Sequence, residues 1–346
     1  MTPPRQPVTV LIASYLEPEH VERIRAVSGI RVLYDPALLP APRYTCDHVG
    51  HPLTRSSDDE RRWRGYLAEA EVMFDFDYPN LRGLKDLIPR VRWIQATSTG
   101  IGQTLIRAGL IESPIVFTTA RGTHAKPLAD FVLMAILWFA KDGFRMVRDQ
   151  AAHRWARYCG RDLRGATVGV VGLGTIGREV ARVCTAMGMR VMGVRRTPTP
   201  DDVIQDVDVV LPVSEVARML EAADYLVLAA PHTPDTDRLI GRDELSRIKP
   251  GAVLINVARG AIVDEPAMIE ALRAGRLSGA ALDVFATEPP APDNPLWDMP
   301  NVLISPHSAS TVETENATLT DLFCENLDRY LRGTALLNVF DRERLY

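Results

Sequence analysis

A glycine-rich run in the middle of the chain has the residue types and spacing for binding phosphate. Gly172-Leu173-Gly174-Thr175-Ile176-Gly177 directly follows the apolar stretch ATVGVVG and opens an amphipathic helical pattern. In that context glycines permit a tight turn and let a pyrophosphate meet the N-terminus of the helix. A turn made only for packing would not require three glycines at this spacing. The run therefore predicts a dinucleotide-binding loop.

The end of the next predicted strand indicates which dinucleotide is bound. In an NAD site an Asp or Glu about 20 residues after the glycines accepts hydrogen bonds from the ribose hydroxyls. Here the corresponding run is Val194-Arg195-Arg196-Thr197. Two guanidinium groups and a hydroxyl suit a phosphate dianion, so we expect NADP (NADPH) to be favoured, with NAD as the other possibility. The alternative is an exposed turn with two solvated arginines.

The length and composition of the chain limit the classes of protein to which it can belong. The 346 residues include 40 Lys and Arg against 44 Asp and Glu, a formal net charge of −4, and 46% are hydrophobic. These values predict two globular domains and exclude disordered, collagen-like and disulfide-rich classes. The net charge gives no field that would attract nucleic acid or a membrane, and we expect neither as a partner.

Cysteine spacing and the N-terminal segment indicate the compartment. The four cysteines lie far apart with no C-x-x-C pair, so they predict neither a disulfide framework nor a zinc site. The first residues lack the features of a secretory signal, and we expect a cytoplasmic location. The longest apolar stretch, Phe131–Ala140, is about half of the ~20 residues that a membrane-spanning helix needs, so it predicts a buried helix.

Short apolar runs alternate with helical patterns along the chain, which is typical of parallel βαβ units and of the α/β fold class. Five runs precede residue 120 and seven follow residue 160, enough for an open sheet and a doubly wound dinucleotide-binding sheet. Between them, residues 127–150 have an almost continuous helical pattern, and 311–333 predict a last helix. The predicted strands are 8–14, 31–34, 71–74, 91–96, 115–118, 166–172, 190–194, 208–211, 224–230, 252–258, 279–285 and 301–307.

One segment, residues 35–64, departs from this alternation and is rich in Pro, His and charge. Ser57-Asp58-Asp59-Glu60 has the form of a capping box, so a helix is predicted to begin there. The part before it is a loop of unknown role.

Three further stretches carry a family resemblance: AAPHTPDTDRLIG, LINVARGAIVDEPAMIEALRAGRLSGAALDVFATEPP and PLWDMPNVLISPHSAS. With the glycine motif they resemble the D-isomer-specific 2-hydroxyacid dehydrogenases, a family that includes glyoxylate and hydroxypyruvate reductases, phosphoglycerate dehydrogenase and D-lactate dehydrogenase. The resemblance runs from about Gln95 to the end of the chain. It implies an NAD(P)-dependent oxidoreductase that acts on CH-OH donors.

The resemblance carries three catalytic roles onto this sequence. It implies that Arg259 of NVARG holds the substrate carboxylate and keto oxygen, that Glu288 of DVFATEP is the carboxylate partner, and that His307 of SPHSA is the acid/base. The chemistry agrees, since a 2-keto acid needs a cation for its carboxylate and a proton donor with a pKa near neutral. Taken alone, Arg259 could cap a helix, Glu288 could be a solvated acid and His307 could be a core histidine. Each follows a predicted strand, however, where ligands bind in open α/β sheets.

The resemblance also implies supporting residues. Thr99, Gly100 and Ile101 lie in a loop, 98–102, whose backbone N–H groups would receive the substrate carboxylate; a simple strand-to-helix turn is the alternative. Further cofactor-binding positions are Pro231, Thr236, Val257, Ala258 and Asp283, together with Arg259 and His307. Trp297 either packs structurally or lines the pocket. No metal is expected, because the remaining histidines show no paired spacing and hydride transfer needs no Lewis acid.

The resemblance implies two interleaved, Rossmann-like or flavodoxin-like domains. A discontinuous substrate domain would comprise 1–119 and 312–346, and an inserted NAD(P)-binding domain would comprise 120–311. The apolar helix at 127–140 would build a homodimer interface. Two departures from the family stand out: Arg195 replaces the acid of NAD-using members, and Asp130 replaces a common Glu.

The resulting hypothesis is an NADPH-preferring reductase of glyoxylate, hydroxypyruvate or a similar small 2-keto acid. A phosphoglycerate dehydrogenase-like enzyme that uses NAD is one alternative. Formate dehydrogenases share the fold but have Gln where Glu288 stands here. A dinucleotide-sensing protein like the dehydrogenase-fold corepressors is an alternative of another class, and such proteins can retain all three catalytic residues.

Overall fold

The structure is a computed structural model that describes residues 6–196, 198 and 203–343, and it divides into two compact units. The first unit is formed by the chain up to Thr123 together with the chain from Thr311 onward. The second unit is the continuous segment His124–Ser310. The first unit is therefore discontinuous in sequence.

The first unit is built on a five-stranded parallel sheet with the order β2-β1-β3-β4-β5. This is the flavodoxin-like winding, in which the strand order reverses beside β1. The strands are β1 (Val8–Ile12), β2 (Ile30–Leu33), β3 (Val72–Phe74), β4 (Trp93–Gln95) and β5 (Val116–Thr118), and the helices are α1 (Pro18–Arg25), α2 (Ser57–Glu69), α3 (Leu84–Leu87) and α4 (Gly102–Arg107).

Side chains of this sheet alternate between two buried faces, as expected for a sheet that is covered on both sides. Leu11, Met73 and Ile94 pack on one face with Trp63 of α2. Val10, Ile12, Phe74 and Trp93 pack on the other, against α1 and the last helix of the chain. Both layers are needed to bury the apolar side chains on the two faces of the sheet.

The second unit is built on a seven-stranded parallel sheet with the order β12-β11-β10-β9-β6-β7-β8. The order reverses beside β6, as in a doubly wound dinucleotide fold. The strands are β6 (Thr167–Val171), β7 (Arg190–Arg195), β8 (Val209–Pro212), β9 (Tyr225–Leu228), β10 (Ala252–Asn256), β11 (Leu277–Leu282) and β12 (Val302–Ile304). The helices are α5 (Ala125–Ala140), α6 (Gly143–Ala151), α7 (Thr175–Ala186), α8 (Val216–Ala222), α9 (Arg242–Arg247) and α10 (Glu265–Arg273).

After the second unit the chain returns to the first through α11 (Glu315–Arg332), which ends at Gly333 in a left-handed conformation. Asn326 of α11 donates to Gln95 Oε1 over 3.0 Å, inside the first unit. Beyond the helix, the Phe340 N–H donates to the Phe117 carbonyl over 2.8 Å, and the Arg342 guanidinium donates to three carbonyls of residues 111–115. The last described residues are thus tied to β5 and to the turn before it.

The fold-class prediction is confirmed, and each of the twelve predicted strands has its counterpart. One local prediction is wrong, and another is right about the start of a helix but not about its cap. The continuous helical pattern at 127–150 is broken at Asp142, which adopts φ 55° and separates α5 from α6. The helix predicted to begin at Ser57 does begin there. Its N-cap is Ser56, whose Oγ accepts from the Asp59 N–H, because consecutive Ser and Asp residues allow a capping motif in either frame.

Candidate active site

The predicted phosphate loop joins β6 to α7. Gly172 has φ 98°, a conformation that disfavours other residues, and a Cβ on Gly177 would lie 2.0 Å from the Gly172 carbonyl oxygen. A Cβ on Gly174, by contrast, would point into open space. Gly174 is also the N-cap of α7 and places no side chain over the free N–H groups of the first turn. The loop therefore fits a dinucleotide diphosphate at a helix N-terminus.

Arg195 and Arg196 follow at the same edge of the sheet. β7 pairs with β6 so that Val194 lies opposite Val171, which places Arg195 beside the start of the glycine loop. Arg195 is half-buried and Arg196 is exposed. Thr197, the third member of the predicted phosphate-binding run, lies outside the described residues. The two described side chains add positive charge where β7 ends.

The loop after β9 contains Pro231 and Thr236. Thr236 Oγ1 donates to the Pro231 carbonyl over 2.8 Å and accepts from the Thr233 N–H over 2.8 Å, so the loop is closed by its own hydrogen bonds. His232 of the same loop pairs with Asp237 at 2.8 Å. β9 lies between β6 and β10, and this loop therefore ends at the sheet edge that carries the glycine run.

Arg259 stands three residues after β10. Asn256, the last residue of that buried strand, donates to the Arg259 carbonyl over 3.1 Å and accepts from the Ala258 N–H over 3.0 Å, which fixes the path of the loop. The guanidinium donates to the Ala258 carbonyl over 2.7 Å. Burial lowers the pKa of Arg259, while the carboxylates of Glu288 and Asp283 act in the opposite direction. Arginine remains a cation under these conditions, so a concentrated positive charge lies at this edge.

Glu288 and His307 meet directly, with 2.7 Å between Glu288 Oε2 and His307 Nδ1. The other carboxylate oxygen, Oε1, accepts from the Phe285 N–H over 3.0 Å. Burial raises the pKa of Glu288, but the hydrogen bonds from His307 and Phe285 and the charges of His307 and Arg259 outweigh it, and the net pKa is lowered. The carboxylate is thus held ionised against Nδ1 of the imidazole.

Asp283 organises the backbone around His307. It is buried, and its Oδ1 accepts from Ser305 Oγ over 2.6 Å and from the Ser308 and Ala309 N–H groups over 2.9 Å each. The His307 N–H donates to the Asp283 carbonyl, and His307 itself adopts φ 54°. A left-handed histidine is uncommon and is held here by the loop around it.

The structure brings together the sequence-predicted residues of the second unit at the carboxyl edge of its sheet. Val257 and Ala258 are buried beside Arg259. Trp297 stacks on Phe285 with ring centroids 6.5 Å apart and remains half exposed. Sequence reasoning missed Asn256, the last residue of β10, and Ser305, which directly follows β12. A polar residue at the point where an apolar strand ends is the signal that could have identified both.

The predicted substrate loop lies in the first unit, between β4 and α4. Ile101 is fully buried there and is the N-cap of α4, whereas Gly100 is exposed and Thr99 is half-buried. The described residues contain no cluster of three or more His, Cys, Asp or Glu side chains that could hold a metal ion. Among the described helices, none is long and apolar enough to cross a membrane.

Comparisons with known proteins agree with this geometry. A sequence model described as "D-isomer specific 2-hydroxyacid dehydrogenase, NAD binding domain" matches residues 133–309. A putative 2-hydroxyacid dehydrogenase from Haemophilus influenzae is 31% identical over 305 residues, which cover 85% of this chain and 92% of that protein. A D-3-phosphoglycerate dehydrogenase from Methanocaldococcus jannaschii is 38% identical over 230 residues, 66% of this chain but only 43% of that protein.

Among solved structures, a similar chain is an NADPH-dependent glyoxylate/hydroxypyruvate reductase from Sinorhizobium meliloti, determined in complex with NADP and sulfate. The TM-score is 0.79 at 25% sequence identity, and the alignment covers 98% of this chain and all of the other. The likeness therefore extends over both units and not only over the nucleotide-type sheet.

Proposed function

This chain belongs to the D-isomer specific 2-hydroxyacid dehydrogenase family, and from that membership we propose that it reduces a small 2-keto acid of the glyoxylate or hydroxypyruvate type, with NADPH as the preferred reductant. The observation that carries the proposal is the 2.7 Å contact between His307 Nδ1 and Glu288 Oε2. Arg259 lies close enough to lower the pKa of the same carboxylate. A proton donor and a cation at one sheet edge are what carbonyl reduction beside a carboxylate requires.

In the proposed mechanism Arg259, His307 and Glu288 each have a separate role. Arg259 binds the substrate carboxylate and polarises the keto oxygen. His307 donates a proton from Nε2 to that oxygen as the carbonyl carbon accepts a hydride, which a bound reduced nicotinamide supplies. Glu288 holds the imidazole through Nδ1 and compensates its positive charge until the proton is transferred. The keto acid gains one hydride and one proton and becomes the 2-hydroxy acid.

The preference for NADPH is proposed from Arg195 and Arg196 at the end of β7, in place of the acid that would accept from a ribose hydroxyl. Two guanidinium groups near the glycine loop favour a ribose phosphate. The NADP complex of the Sinorhizobium reductase supports the same assignment. Thr175, Ile176 and Gly177 would contribute backbone N–H groups to the diphosphate, and Pro231, Thr236, Val257, Ala258 and Asp283 would line the remainder of the cofactor.

The first unit is proposed as the substrate domain and the second as the NAD(P)-binding domain. Within the first unit, the backbone at Thr99, Gly100 and Ile101 would receive the substrate carboxylate. The position of this loop supports that role, because it follows the interior strand β4 at the carboxyl edge of the sheet, where open α/β sheets bind ligands.

We further propose a homodimer formed through α5. An apolar groove of about 510 Å³ runs along α5 and α6 and is lined by Leu133, Met134, Leu137, Trp138 and Met146, with one acid, Asp130, and one base, Lys141. Asp130 stands near the start of α5 and Lys141 at its end. If two copies pair their α5 helices antiparallel about a two-fold axis, each Asp130 faces the partner's Lys141. This complementarity favours a second copy as the occupant of the groove.

The direct test is initial-rate kinetics with NADPH and NADH against glyoxylate, hydroxypyruvate, pyruvate, phenylpyruvate and phosphohydroxypyruvate. We expect the highest kcat/KM with NADPH and a small keto acid. Higher activity with NADH and phosphohydroxypyruvate would instead support a phosphoglycerate dehydrogenase-like enzyme. Tight dinucleotide binding without turnover of any keto acid would contradict the proposal and favour a cofactor-sensing protein.

A further inference from the structure

A polar groove of the first unit has no role in the mechanism above. It has a volume of about 730 Å³, within the range of small-molecule binding sites, and is formed by α2, the short 3-10 helix Tyr78–Gly83, α3 and the end of α4. Its lining includes three arginines, one acid and two further polar side chains: Arg64, Arg82, Arg107, Asp86, Tyr78 and Asn80. We call this the arginine groove. All of these residues belong to the first unit.

The positive charge of the arginine groove is only partly compensated. Arg64 donates to Glu60 Oε1 over 2.8 Å, but Arg82 and Arg107 are exposed and have no ion-pair partner among the described residues. Two such guanidinium groups in one groove favour an anionic ligand. Phosphate suits them best, because it has more charge and more acceptor oxygens than a carboxylate and can accept two bonds from one planar guanidinium.

The wall of the arginine groove is fixed by buried hydrogen bonds. Asp77 is buried, and its Oδ2 accepts from Asn80 Nδ2 over 2.8 Å and from Trp63 Nε1 over 2.9 Å. These bonds hold the 3-10 helix that contains Arg82 against α2. The Arg55 guanidinium lies over the Trp63 ring, 4.6 Å from its centroid, and supports the same wall. A preorganised site loses less conformational entropy when a ligand binds.

The arginine groove is connected to both ends of the predicted substrate loop, residues 98–102. Before the loop, the Tyr78 hydroxyl donates to Asp75 Oδ1 over 3.4 Å, and Asp75 Oδ2 accepts from Thr97 Oγ1 over 3.1 Å. After the loop, α4 follows directly and ends at Arg107. A ligand in the groove would therefore contact elements on either side of the loop.

Tyr78 joins the groove electrostatically to the start of the loop. Burial and the neighbouring Asp75 carboxyl group raise the pKa of Tyr78 well above its usual value, while the charge of Arg107 acts in the opposite direction. Tyr78 therefore stays protonated and keeps its hydroxyl hydrogen for Asp75. The charge of Arg107 is close enough to influence that contact.

We propose that the arginine groove binds an organic bisphosphate or diphosphate and that its occupation stabilises the loop 98–102. Arg82 and Arg107 would each bind one phosphate group, and Leu81 and Leu87, which also line the groove, offer apolar surface to the organic part. An anion that bridges the 3-10 helix and α4 restrains α4 and the loop before it. A restrained loop binds a carboxylate at lower entropic cost, so KM for the keto acid falls. This second step rests on the proposed function, in which the loop receives the substrate carboxylate.

The binding step is tested by calorimetric titration of inorganic pyrophosphate into the full chain saturated with NADPH, which keeps the cofactor site occupied. We expect pyrophosphate to bind at least about tenfold more tightly than inorganic phosphate, because two guanidinium groups share its charge. Arg82→Gln combined with Arg107→Gln should weaken pyrophosphate binding by about tenfold or more. Asp86→Asn should strengthen it, because the change removes a charge that repels phosphate.

Arg90→Gln combined with Arg92→Gln is the matched control. It removes the same charge from exposed positions outside the groove and should change pyrophosphate affinity by less than about twofold. Equally weak binding of phosphate and pyrophosphate would overturn the site. Equal pyrophosphate affinity in the wild-type protein and in the variant that lacks Arg82 and Arg107 would overturn it as well.

The effect on the loop is tested by the kinetics of glyoxylate reduction at saturating NADPH. Pyrophosphate should lower KM for glyoxylate by about fivefold and leave kcat unchanged, and the effect should be absent when Arg82 and Arg107 are both replaced by Gln. A KM that rises equally in both proteins would show competition at the active site and overturn the link to the loop. Failure of the wild-type protein to reduce any keto acid would overturn the proposed function, whereas the titration would still decide whether the groove binds pyrophosphate.

Discussion

The carboxylate of Glu288 interacts with both other charged groups of the proposed site, His307 and Arg259. Its Oε2 contacts His307, its Oε1 accepts from the backbone, and its pKa is lowered despite partial burial. A glutamate with a lowered pKa keeps its charge as the pH falls through the usual range for this residue. Its stabilising contribution is therefore present at neutral pH and is lost only when the pH drops through the lowered value.

Replacing Glu288 with Gln is expected to lower kcat for keto-acid reduction by about tenfold to a hundredfold at pH 7.5, because the imidazolium loses its counter-charge. The alkaline limb of the pH–rate profile should move to lower pH. Asp293→Asn removes a negative charge from the same loop at an exposed position and should leave the profile unchanged. A Glu288→Gln protein with a wild-type profile would exclude the proposed pairing from the mechanism.

In our proposal, Arg195 determines the preference for NADPH over NADH. Arg195→Asp should weaken NADPH binding by at least about tenfold more than NADH binding, because it removes a cation and adds a charge that repels phosphate. Equilibrium titration of nucleotide fluorescence would give both Kd values. Arg190→Asp, at the opposite end of β7, is the matched control and should affect both cofactors equally and weakly. Equal losses for the two cofactors in Arg195→Asp would contradict the assignment.

At the scale of elements, α5 is the clearest case of a helix with more apolar surface than its own unit covers. Met134 is 41% exposed and Met146 of α6 is 46% exposed, and both line the groove. Monomeric proteins rarely leave such contiguous apolar surface in water.

Met134→Glu should convert the proposed dimer into a monomer, because it would place two like charges in a desolvated interface. Size-exclusion chromatography with light scattering measures the mass directly. Met187→Glu changes a methionine of similar exposure at the end of α7, outside the groove, and should leave the dimer intact. A monomeric wild-type protein would refute the proposed interface.

The helices, strands and turns also differ in how well they could be predicted from the sequence. Strand positions follow from runs of apolar residues, and the glycine loop follows from a local motif, so both were predictable. The break at Asp142 and the Ser56 cap each depend on one residue's backbone conformation, which the pattern leaves open. Within residues 35–64, the turn that carries His48 depends on hydrogen bonds to Asp47 and on a contact to Ser14, 34 residues away in sequence. Such long-range hydrogen bonds leave no periodic signal.

At the scale of the whole molecule, the net charge of −4 gives no indication of anionic ligands, and the structure shows why. Many arginines of the described residues are paired with nearby acids on the surface, such as Arg25 with Glu22 and Arg182 with Glu179. Such pairs cancel in the sum and contribute little to stability. The charge that matters for the proposed chemistry is local, at Arg195 and Arg259.

The discontinuity of the first unit has a consequence for the newly made chain. One face of its sheet, with Val10, Phe74 and Trp93, is covered by α1 and by Leu319, Phe323 and Leu327 of α11. α11 leaves the ribosome only after the entire second unit, which at ordinary synthesis rates is on the order of ten seconds or more later. Until then, part of an apolar sheet face is exposed, whereas the second unit can fold as one continuous segment. The half-made first unit is accordingly the part that would engage chaperones during synthesis.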